Sequence, residues 1–282
     1  MPELPEVQTV VNDLIAAGII GRKMTRVEVR YPRIIAEPAP ARFRRRVTGK
    51  TITAIDRRGK YIILDLSGPI HLLVHLRMTG HLYLAETASK RTKHDHVILH
   101  LDDGRKLRYH DPRKFGRFFL VDRKEKILGK LGPEPLSKNF TARTLARLLS
   151  VRKRMLKPLL LDQTFIAGLG NIYVDEALWR ANLHPCRNSA TLDGLEIKQL
   201  HRAIRYVLRW GIKNSGTSLG GGETGFSSVT GRRGRNRNNL KVFRQVDLPC
   251  PRCRTSIHRL IVGQRSTFIC RKCQPPPKGS LK

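Results

Sequence analysis

The sequence predicts an α+β protein of several domains: an antiparallel β-sandwich with flanking helices first, a helical domain second and a four-cysteine β-hairpin last. Short segments rich in β-branched and aromatic residues, separated by glycine or Asp-Gly breaks, occupy the chain up to about residue 130. From Thr141 onwards, apolar residues recur at the three- and four-residue spacing of helices. Two Cys-x-x-Cys pairs then lie close to the C-terminus.

The first helix is expected at Pro5–Ala17. Val7, Val10 and Leu14 fall on one face of it, and Gly18 follows as a stop signal. The strands are then expected at Val27–Tyr31, Thr51–Ile55, Tyr61–Leu66, Ile70–Leu76, Val97–Leu101 and Arg117–Val121.

Four helices are expected in the second half of the chain, at Thr141–Ser150, Met155–Asp162, Asn171–Ala181 and Asp193–Trp210. Asp193 and Glu196 have the spacing of a capping box. The domains that follow from this pattern are 1–130 for the sandwich, 131–239 for the helical part with a basic loop at 215–239, 240–274 for the hairpin and 275–282 for a disordered tail.

Charge is the unusual feature of the composition. The 282 residues include 55 Lys and Arg against 22 Asp and Glu, for a net charge of +33. A field of this size attracts polyanions, and solubility alone needs far less charge. No run of about 18 apolar residues and no signal-peptide pattern is visible, so we expect a cytoplasmic protein without a membrane partner.

Two glycine-rich stretches offer weaker signals. The turn 166–171 runs into a helix whose first amides suit a phosphate, although a plain tight turn explains it equally well. The segment 215–239 combines glycine clusters with a run of arginines and indicates a mobile basic loop. In so basic a chain, contact with phosphates is favoured over a merely solvated face.

The four C-terminal cysteines predict a structural zinc site. Cys250 and Cys253 form one pair, Cys270 and Cys273 the other, and sixteen residues separate the pairs. Two such pairs can surround one zinc ion tetrahedrally with zinc–sulfur distances of about 2.3 Å. A disulfide pair or a redox role fits the cytoplasm less well, and Cys186 is left over as a plain thiol. With four protein ligands, the metal has no open position for catalysis.

The first residues have a catalytic interpretation as well as a structural one. If Met1 is removed, Pro2 presents a secondary amine beside the carboxylate of Glu3. An α-amino group titrates near about 7.7–8.0, so part of it is neutral and nucleophilic at cytoplasmic pH. Its adduct with an aldehyde-like carbon is an iminium, which acidifies neighbouring C–H bonds. On these residues alone, a helix start with carboxylates at its positive end is the favoured interpretation.

Several separated motifs together resemble the bacterial formamidopyrimidine-DNA glycosylase family of the Fpg/Nei superfamily. They run in the family's order along nearly the whole chain. The matching segments are Met1–Val7, Arg58–Tyr61, His75–Gly80, Lys93–Val97, Tyr109–Gly116, Leu131–Leu136, Lys157-Pro158 with Asp162, Gly168–Tyr173 and the four-cysteine module. Leu4 and Val7 resemble the purine-directed branch rather than the endonuclease VIII branch.

The resemblance implies a helix-two-turns-helix in the second domain and a bifunctional enzyme of base excision repair. Such an enzyme excises 8-oxoguanine and formamidopyrimidines and then cleaves the backbone by β,δ-elimination. Pro2 would attack C1′ and Glu3 would shuttle protons at the sugar. Lys60 matches the catalytic lysine, and Arg265 matches the zinc-hairpin arginine that holds a phosphate, whereas alone it is an ordinary exposed arginine.

The partner implied by the resemblance is duplex DNA that contains a damaged base, bound by a monomer associated with the bacterial nucleoid. The residues expected at phosphates are His94, Arg113, Arg152, Lys157 and Asn171. Met78, Arg113 and Phe115 match the trio that fills the gap left by the extruded nucleotide. Without the family, Met78 and Phe115 are expected in the core.

The departures from the family lie in one region. Gly216-Thr217-Ser218-Leu219 leads into three glycines where a basic residue and aromatics are usual, Arg235 and Asn236 occupy the aromatic positions, and Phe243 stands where a phosphate-binding tyrosine is expected. Lesion choice therefore stays open. The alternatives are an endonuclease VIII-like enzyme for oxidised pyrimidines or abasic sites, and a zinc-containing protein that binds damaged DNA without cutting it.

Overall fold

Residues 2–86, 88–220 and 225–277 are described by the computed structural model of the chain, which divides into two units. The N-terminal unit comprises Met1–Lys130 and Ile212–Arg237, and the C-terminal unit comprises Leu131–Gly211 and Asn238–Lys282. The domains predicted from the sequence differ from these two units in two respects. The basic segment 215–239 groups mostly with the N-terminal unit rather than with the helices, and the hairpin shares a unit with the helices.

The N-terminal unit is built on two sheets. Its elements are α1 (Leu4–Ala16), β1 (Met24–Val29), β2 (Ile35–Glu37), α2 (Pro40–Val47), β3 (Ile52–Arg58), β4 (Tyr61–Leu66), β5 (Ile70–His75), β6 (His81–Ala85), β7 (Asp95–Leu101), β8 (Lys106–His110), β9 (Arg117–Val121) and α3 (Glu125–Leu128). The four-stranded sheet has the order β1-β7-β8-β6 and the five-stranded sheet the order β2-β9-β5-β4-β3. All pairs are antiparallel except β2 with β9, which is parallel.

The prediction of a β-sandwich with flanking helices is confirmed, and the first helix and all six predicted strands exist. The elements that were missed are short or carry polar residues at inward positions. In β8, for example, Arg108 and His110 are buried at 2% and 5% exposure, which hides the alternation expected of a half-buried strand. The strand β2 spans only three residues, too few for a periodic pattern.

Helix α1 is anchored in the core of the sandwich. Val7, Val10 and Leu14 are fully buried in the same apolar cluster as the inner faces of both sheets. Burying a side chain of this kind stabilises the fold by roughly 1.5–3 kcal/mol. The residues that precede α1 are therefore attached to a rigid element.

The C-terminal unit contains the helices and the metal-binding hairpin. Its elements are α4 (Ala142–Ser150), α5 (Leu156–Leu161), α6 (Asn171–Arg180), α7 (Gly194–Lys213, whose last two residues group with the N-terminal unit), β10 (Ile257–Val262) and β11 (Arg265–Cys270). The capping box of α7 is confirmed, since the Asp193 amide donates to Glu196 Oε2 at 3.0 Å and the Glu196 amide donates to Asp193 Oδ1 at 2.8 Å.

Two segments predicted from the sequence are described only in part. Of the predicted tail 275–282, residues 278–282 lie outside the described residues, as do 221–224 of the basic segment. Within the part that is described, no helix is both long and apolar enough to cross a membrane.

Two glycines of α7 provide a test of the packing in the C-terminal unit. A Cβ at Gly211 would lie 2.5 Å from the hydroxyl oxygen of the buried Tyr173, whereas a Cβ at Gly194 would meet nothing within 4 Å. We expect Gly194→Ala to raise the free energy of unfolding by up to about 1 kcal/mol, because alanine favours helix. Gly211→Ala should lower it by about 1–3 kcal/mol through overpacking.

Urea denaturation of the two variants beside the unmodified chain measures both effects. Equal stabilisation by the two alanines would contradict the close packing of α6 on α7.

Candidate active site

Pro2 and Glu3 lie directly before α1 and are buried, with Glu3 only 2% exposed. Glu3 is the N-cap residue in an extended conformation, and its amide donates to Glu6 Oε2 at 2.8 Å in a reciprocal capping box. The structural interpretation of the first residues is confirmed, since the segment starts a helix that fixes the backbone of Glu3. The catalytic interpretation stays a prediction.

Glu6 has a second contact that the sequence did not reveal. Its Oε1 accepts a hydrogen bond from the Thr217 amide at 2.7 Å, and the side chain is 1% exposed. Gly216 has a φ of +79°, and a Cβ there would lie 2.9 Å from Glu6 Cγ. One carboxylate thus joins the start of α1 to the segment after α7, within the N-terminal unit.

Lys60 lies in the turn between β3 and β4 and is 5% exposed. The turn is tied to α1 through Arg57, whose Nε donates to Gln8 Oε1 at 2.9 Å and whose guanidinium also donates to the Gly59 carbonyl at 2.9 Å. The hairpin that carries the predicted catalytic lysine is thus hydrogen-bonded to the helix that Pro2 and Glu3 precede.

His75, at the end of β5, is a neighbour of this turn that sequence reasoning left without a role. Burial lowers the pKa of His75 to about 3, and the positive charges of Arg77 and Lys60 act in the same direction. Its Nδ1 accepts from the Arg77 amide at 3.0 Å. His75 is therefore a neutral imidazole at any pH near neutrality, and its motif His75–Gly80 was the signal that could have marked it.

Met78, Arg113 and Phe115 are exposed. Met78 and Phe115 are 42% and 45% exposed, so the core position expected of them without the family is wrong. The Arg113 guanidinium lies 4.7 Å from the centre of the Phe115 ring. His94 directly precedes β7 and is half-buried, with the centre of its ring 5.5 Å from that of His110. The N-terminal unit therefore presents apolar and cationic side chains on exposed turns.

The described residues of the basic segment 215–239 are held in place by hydrogen bonds and by one buried side chain. Asn236 donates through its amide to the Gly216 carbonyl at 3.0 Å, and the Gly234 amide donates to Ser218 Oγ at 2.9 Å. Val229 is 2% exposed in the sandwich core. Four arginine side chains nevertheless remain exposed: Arg232, Arg233, Arg235 and Arg237.

In the C-terminal unit, Lys157, which is expected at a phosphate, is buried in the unbound chain. The side chain is 0% exposed, and its Nζ donates to Asp175 Oδ1 at 2.6 Å and to the Ser266 carbonyl at 3.0 Å. These two partners satisfy the buried ammonium within the fold. Asp175, which also accepts from the Phe268 amide at 3.1 Å, was not predicted at all.

The other predicted phosphate-binding residues of this unit are accessible. Arg152 is exposed after α4, and Arg265 is exposed at the start of β11. Asn171, the first residue of α6, is half-buried, and its Nδ2 donates to the Ser266 carbonyl at 2.9 Å. Lys157 and Asn171 thus share one carbonyl, next to Arg265 in the chain.

The four predicted cysteines come together as a metal site. The Sγ atoms of Cys250, Cys253, Cys270 and Cys273 all lie within 4.8 Å of one another. Zinc–sulfur bonds of about 2.3 Å in a tetrahedron require sulfurs roughly 3.8 Å apart, and Cys250 and Cys273 are separated by 3.9 Å. The donor set fits one structural zinc ion, which holds the turn before β10 to the end of β11.

Comparison with known proteins agrees with this arrangement. Three family models match: the formamidopyrimidine-DNA glycosylase N-terminal domain over residues 1–118, the formamidopyrimidine-DNA glycosylase H2TH domain over 131–221, and the zinc finger found in FPG and IleRS over 247–276. The predicted helix-two-turns-helix and zinc-finger hairpin are thereby confirmed.

A curated relative, the formamidopyrimidine-DNA glycosylase of Protochlamydia amoebophila, is 47% identical over 274 residues, covering 97% of this chain and 99% of its own. Wild-type Lactococcus lactis Fpg in complex with DNA containing N7-benzyl-Fapy-dG is 36% identical, with a TM-score of 0.89 over 98% of this chain and 100% of that one. The same enzyme with DNA containing an oxidised pyrimidine is 37% identical, with a TM-score of 0.88 over the same shares. The chain belongs to the formamidopyrimidine-DNA glycosylase family.

Proposed function

We propose that this member of the family is a bifunctional DNA glycosylase and AP lyase of base excision repair that acts on oxidised purines. The observation that carries the proposal is the burial of Pro2 and Glu3 at the start of α1, with the capping carboxylate of Glu6 fixing their backbone. A protein that only binds DNA needs no nucleophile fixed in this way.

The chemistry proceeds from the Pro2 nitrogen once Met1 is removed. The neutral secondary amine forms a bond to C1′ while the bond from C1′ to the base breaks, and the departing base takes up a proton. The attached nitrogen then loses its proton, and a C1′=N bond forms as the C1′–O4′ bond breaks and O4′ takes up a proton. The open-chain adduct is an iminium, so a proton can be removed from C2′ while the C3′–O bond breaks and the 3′ phosphate leaves. A second elimination breaks the C5′–O bond and leaves a gap.

The other groups follow from the family's roles. Glu3 moves protons at the sugar, and Lys60 contacts a phosphate and donates a proton. Arg265 holds a phosphate and assists the later elimination. These assignments rest on matching motifs together with the burial of Glu3 and Lys60 and the exposure of Arg265.

DNA binding draws on the net charge of +33 and on accessible groups in both units. We assign phosphate contacts to His94, Arg113, Arg152, Asn171 and Arg265. Met78 and Phe115, exposed and apolar, fill the space of an extruded nucleotide together with Arg113. Lys157 supports the Ser266 carbonyl next to Arg265 instead of meeting DNA itself.

Oxidised pyrimidines are the second candidate substrate class. The Lactococcus lactis enzyme is seen with an oxidised pyrimidine as well as with a Fapy-dG derivative, and this chain departs from the family pattern at Ser218-Leu219, the glycines that follow, Arg235 and Asn236. Single-turnover excision from duplexes containing 8-oxoguanine, Fapy-dG or an oxidised pyrimidine ranks the classes. Faster release of the pyrimidine would replace the purine assignment.

Since the proposed substrate is chromosomal DNA, we place the protein at the bacterial nucleoid. One copy of the chain carries every group named above, so we propose that it acts as a monomer.

Covalent trapping tests the nucleophile. Borohydride added during reaction with an 8-oxoguanine duplex should reduce the iminium and leave a protein–DNA species on a denaturing gel. Pro2→Gly should keep its affinity for the duplex but release the base at least about a hundred-fold more slowly, the scale of a lost positioned catalytic group.

Pro5→Ala is the matched control, because Pro5 lies in the first turn of α1 and has no proposed chemical role. It should be trapped like the unmodified chain. Absence of any trapped species, with loss of Met1 verified by mass spectrometry, would falsify the proline mechanism.

Arg152 and Arg154 separate a phosphate contact from a structural arginine. The Arg154 guanidinium pairs with Asp162 at 2.9 Å, whereas no ion pair of Arg152 is found among the described residues. We expect Arg152→Ala to weaken duplex binding similarly for all sequences and to reduce the slope of log K against log salt by about 1.

Arg154→Ala should leave that slope unchanged. Fluorescence-anisotropy titrations at several salt concentrations measure both variants, and identical slopes for Arg152→Ala and the unmodified chain would remove Arg152 from the interface.

A further inference from the structure

Asp111, in the turn between β8 and β9, uses both carboxylate oxygens in contacts with two separate turns. The residue is 0% exposed. Its Oδ1 accepts from Thr79 Oγ1 at 2.6 Å and from the Arg113 amide at 3.2 Å. Its Oδ2 accepts from the Tyr109 hydroxyl at 3.1 Å and from the Gly116 amide at 2.9 Å.

The backbone of Asp111 extends the network to a third segment. Its amide donates to the His94 carbonyl at 3.0 Å, and its carbonyl lies 2.9 Å from His96 Nε2. The same carbonyl accepts from the Lys114 amide at 3.1 Å. Asp111 therefore contacts three segments of the N-terminal unit to which we assign DNA contacts: those that carry Met78, His94, and Arg113 with Phe115.

The two turns bound by this carboxylate carry the exposed trio. Met78 precedes Thr79, while Arg113 and Phe115 lie between Asp111 and Gly116. Each turn also contains a residue in the left-handed region, Arg77 at φ 56° and Lys114 at φ 59°. Residues with a side chain disfavour this conformation, so the turns depend on contacts from the rest of the fold.

Tyr109 supplies the second part of that support. Its hydroxyl lies between the two turns so closely that a Cβ would come within 2.0 Å of it at Gly80 and within 1.7 Å at Gly116. Burial raises the pKa of Tyr109, and the charge of Asp111 raises it further, so the hydroxyl stays protonated and donates. The two glycines let both turns close on this one donor.

We infer that Asp111, with Thr79 and Tyr109 as its donors, is a positioning residue that sets Met78, Arg113 and Phe115 in place before DNA binds. This inference rests on the proposed function. A trio ordered in advance loses little conformational freedom when it enters the duplex, so the gap left by the extruded nucleotide is filled faster. The network touches no reacting atom.

Three variants test the inference. Thr79→Val removes one donor at nearly constant volume, Tyr109→Phe removes the hydroxyl, and Asp111→Asn removes one acceptor. Each should slow single-turnover excision from a lesion duplex about ten-fold or more, on the scale of one lost buried hydrogen bond. Cleavage of a single-stranded abasic oligonucleotide, which needs no entry into a stacked duplex, should stay within about two-fold.

Tyr83→Phe is the matched control. The Tyr83 hydroxyl lies 2.9 Å from both oxygens of Asp95, another fully buried carboxylate of the N-terminal unit, but among the described residues no hydrogen bond joins Asp95 to the turns of the trio. This variant should excise and cleave within about two-fold of the unmodified chain. Thermal melts verify that each variant is folded.

Hydrogen exchange supplies a readout that does not depend on catalysis. Amide protection should fall in peptides that cover 77–80 and 112–116 in all three variants and stay unchanged in Tyr83→Phe. If the unmodified chain neither excises nor cleaves, the proposed function is refuted. The hydrogen-exchange measurement then still tests whether Asp111 orders the two turns.

The positioning role is overturned if Thr79→Val and Tyr109→Phe excise from duplex at the unmodified rate. It is equally overturned if duplex excision and single-strand cleavage fall by the same factor, since that pattern marks a general structural role.

Discussion

The carboxylate of Glu6 is the constraint on which the candidate active site depends. One oxygen accepts from the Glu3 amide and the other from the Thr217 amide, so a single buried group sets both the entry into α1 and the position of the segment after α7. Desolvation of a buried carboxylate is costly unless donors replace water, and here backbone amides do so. Val7, Val10 and Leu14 anchor α1 in the core. The hydrogen bond from the Glu3 amide to Glu6 therefore ties the residues before α1 to a rigid element.

Buried carboxylates that accept hydrogen bonds from backbone amides also occur elsewhere in the chain. In the C-terminal unit, Glu176 is 5% exposed and its Oε1 accepts from the amides of Val242 and Phe243, just before the zinc module. Asp175 beside it accepts from Lys157 and from Phe268 in β11. In a chain with 55 basic and only 22 acidic residues, these acids serve as internal anchors. The exposed cations that remain give the surface its attraction for a polyanion.

Sequence reasoning was most reliable where local pattern decides the structure. Local residue patterns located α1, the four helices α4 to α7 and six strands, and cysteine spacing located the metal site, because these signals are carried by neighbouring residues. It was weaker where partners are distant in the chain. Lys157 is an ordinary basic residue in the sequence, and only the fold shows that Asp175 and Ser266 enclose it. Met78 and Phe115 read as core residues because hydrophobicity alone does not tell which turn faces solvent, and the contact between Glu6 and Thr217 spans 211 positions.

The segment after α7 has two parts that are under different structural constraints. Its first residues, Gly216 and Thr217, contact Glu6, and a side chain at Gly216 would collide with that carboxylate, so this end of the segment is restricted by the position of Glu6. Its later residues carry the exposed arginines and the departures from the family pattern, and they are bound to the first part through the contacts of Gly234 and Asn236. Substitutions there can alter what the segment presents without moving Glu6. This arrangement accounts for a chain that keeps the family's N-terminal sequence motif while the segment after α7 diverges.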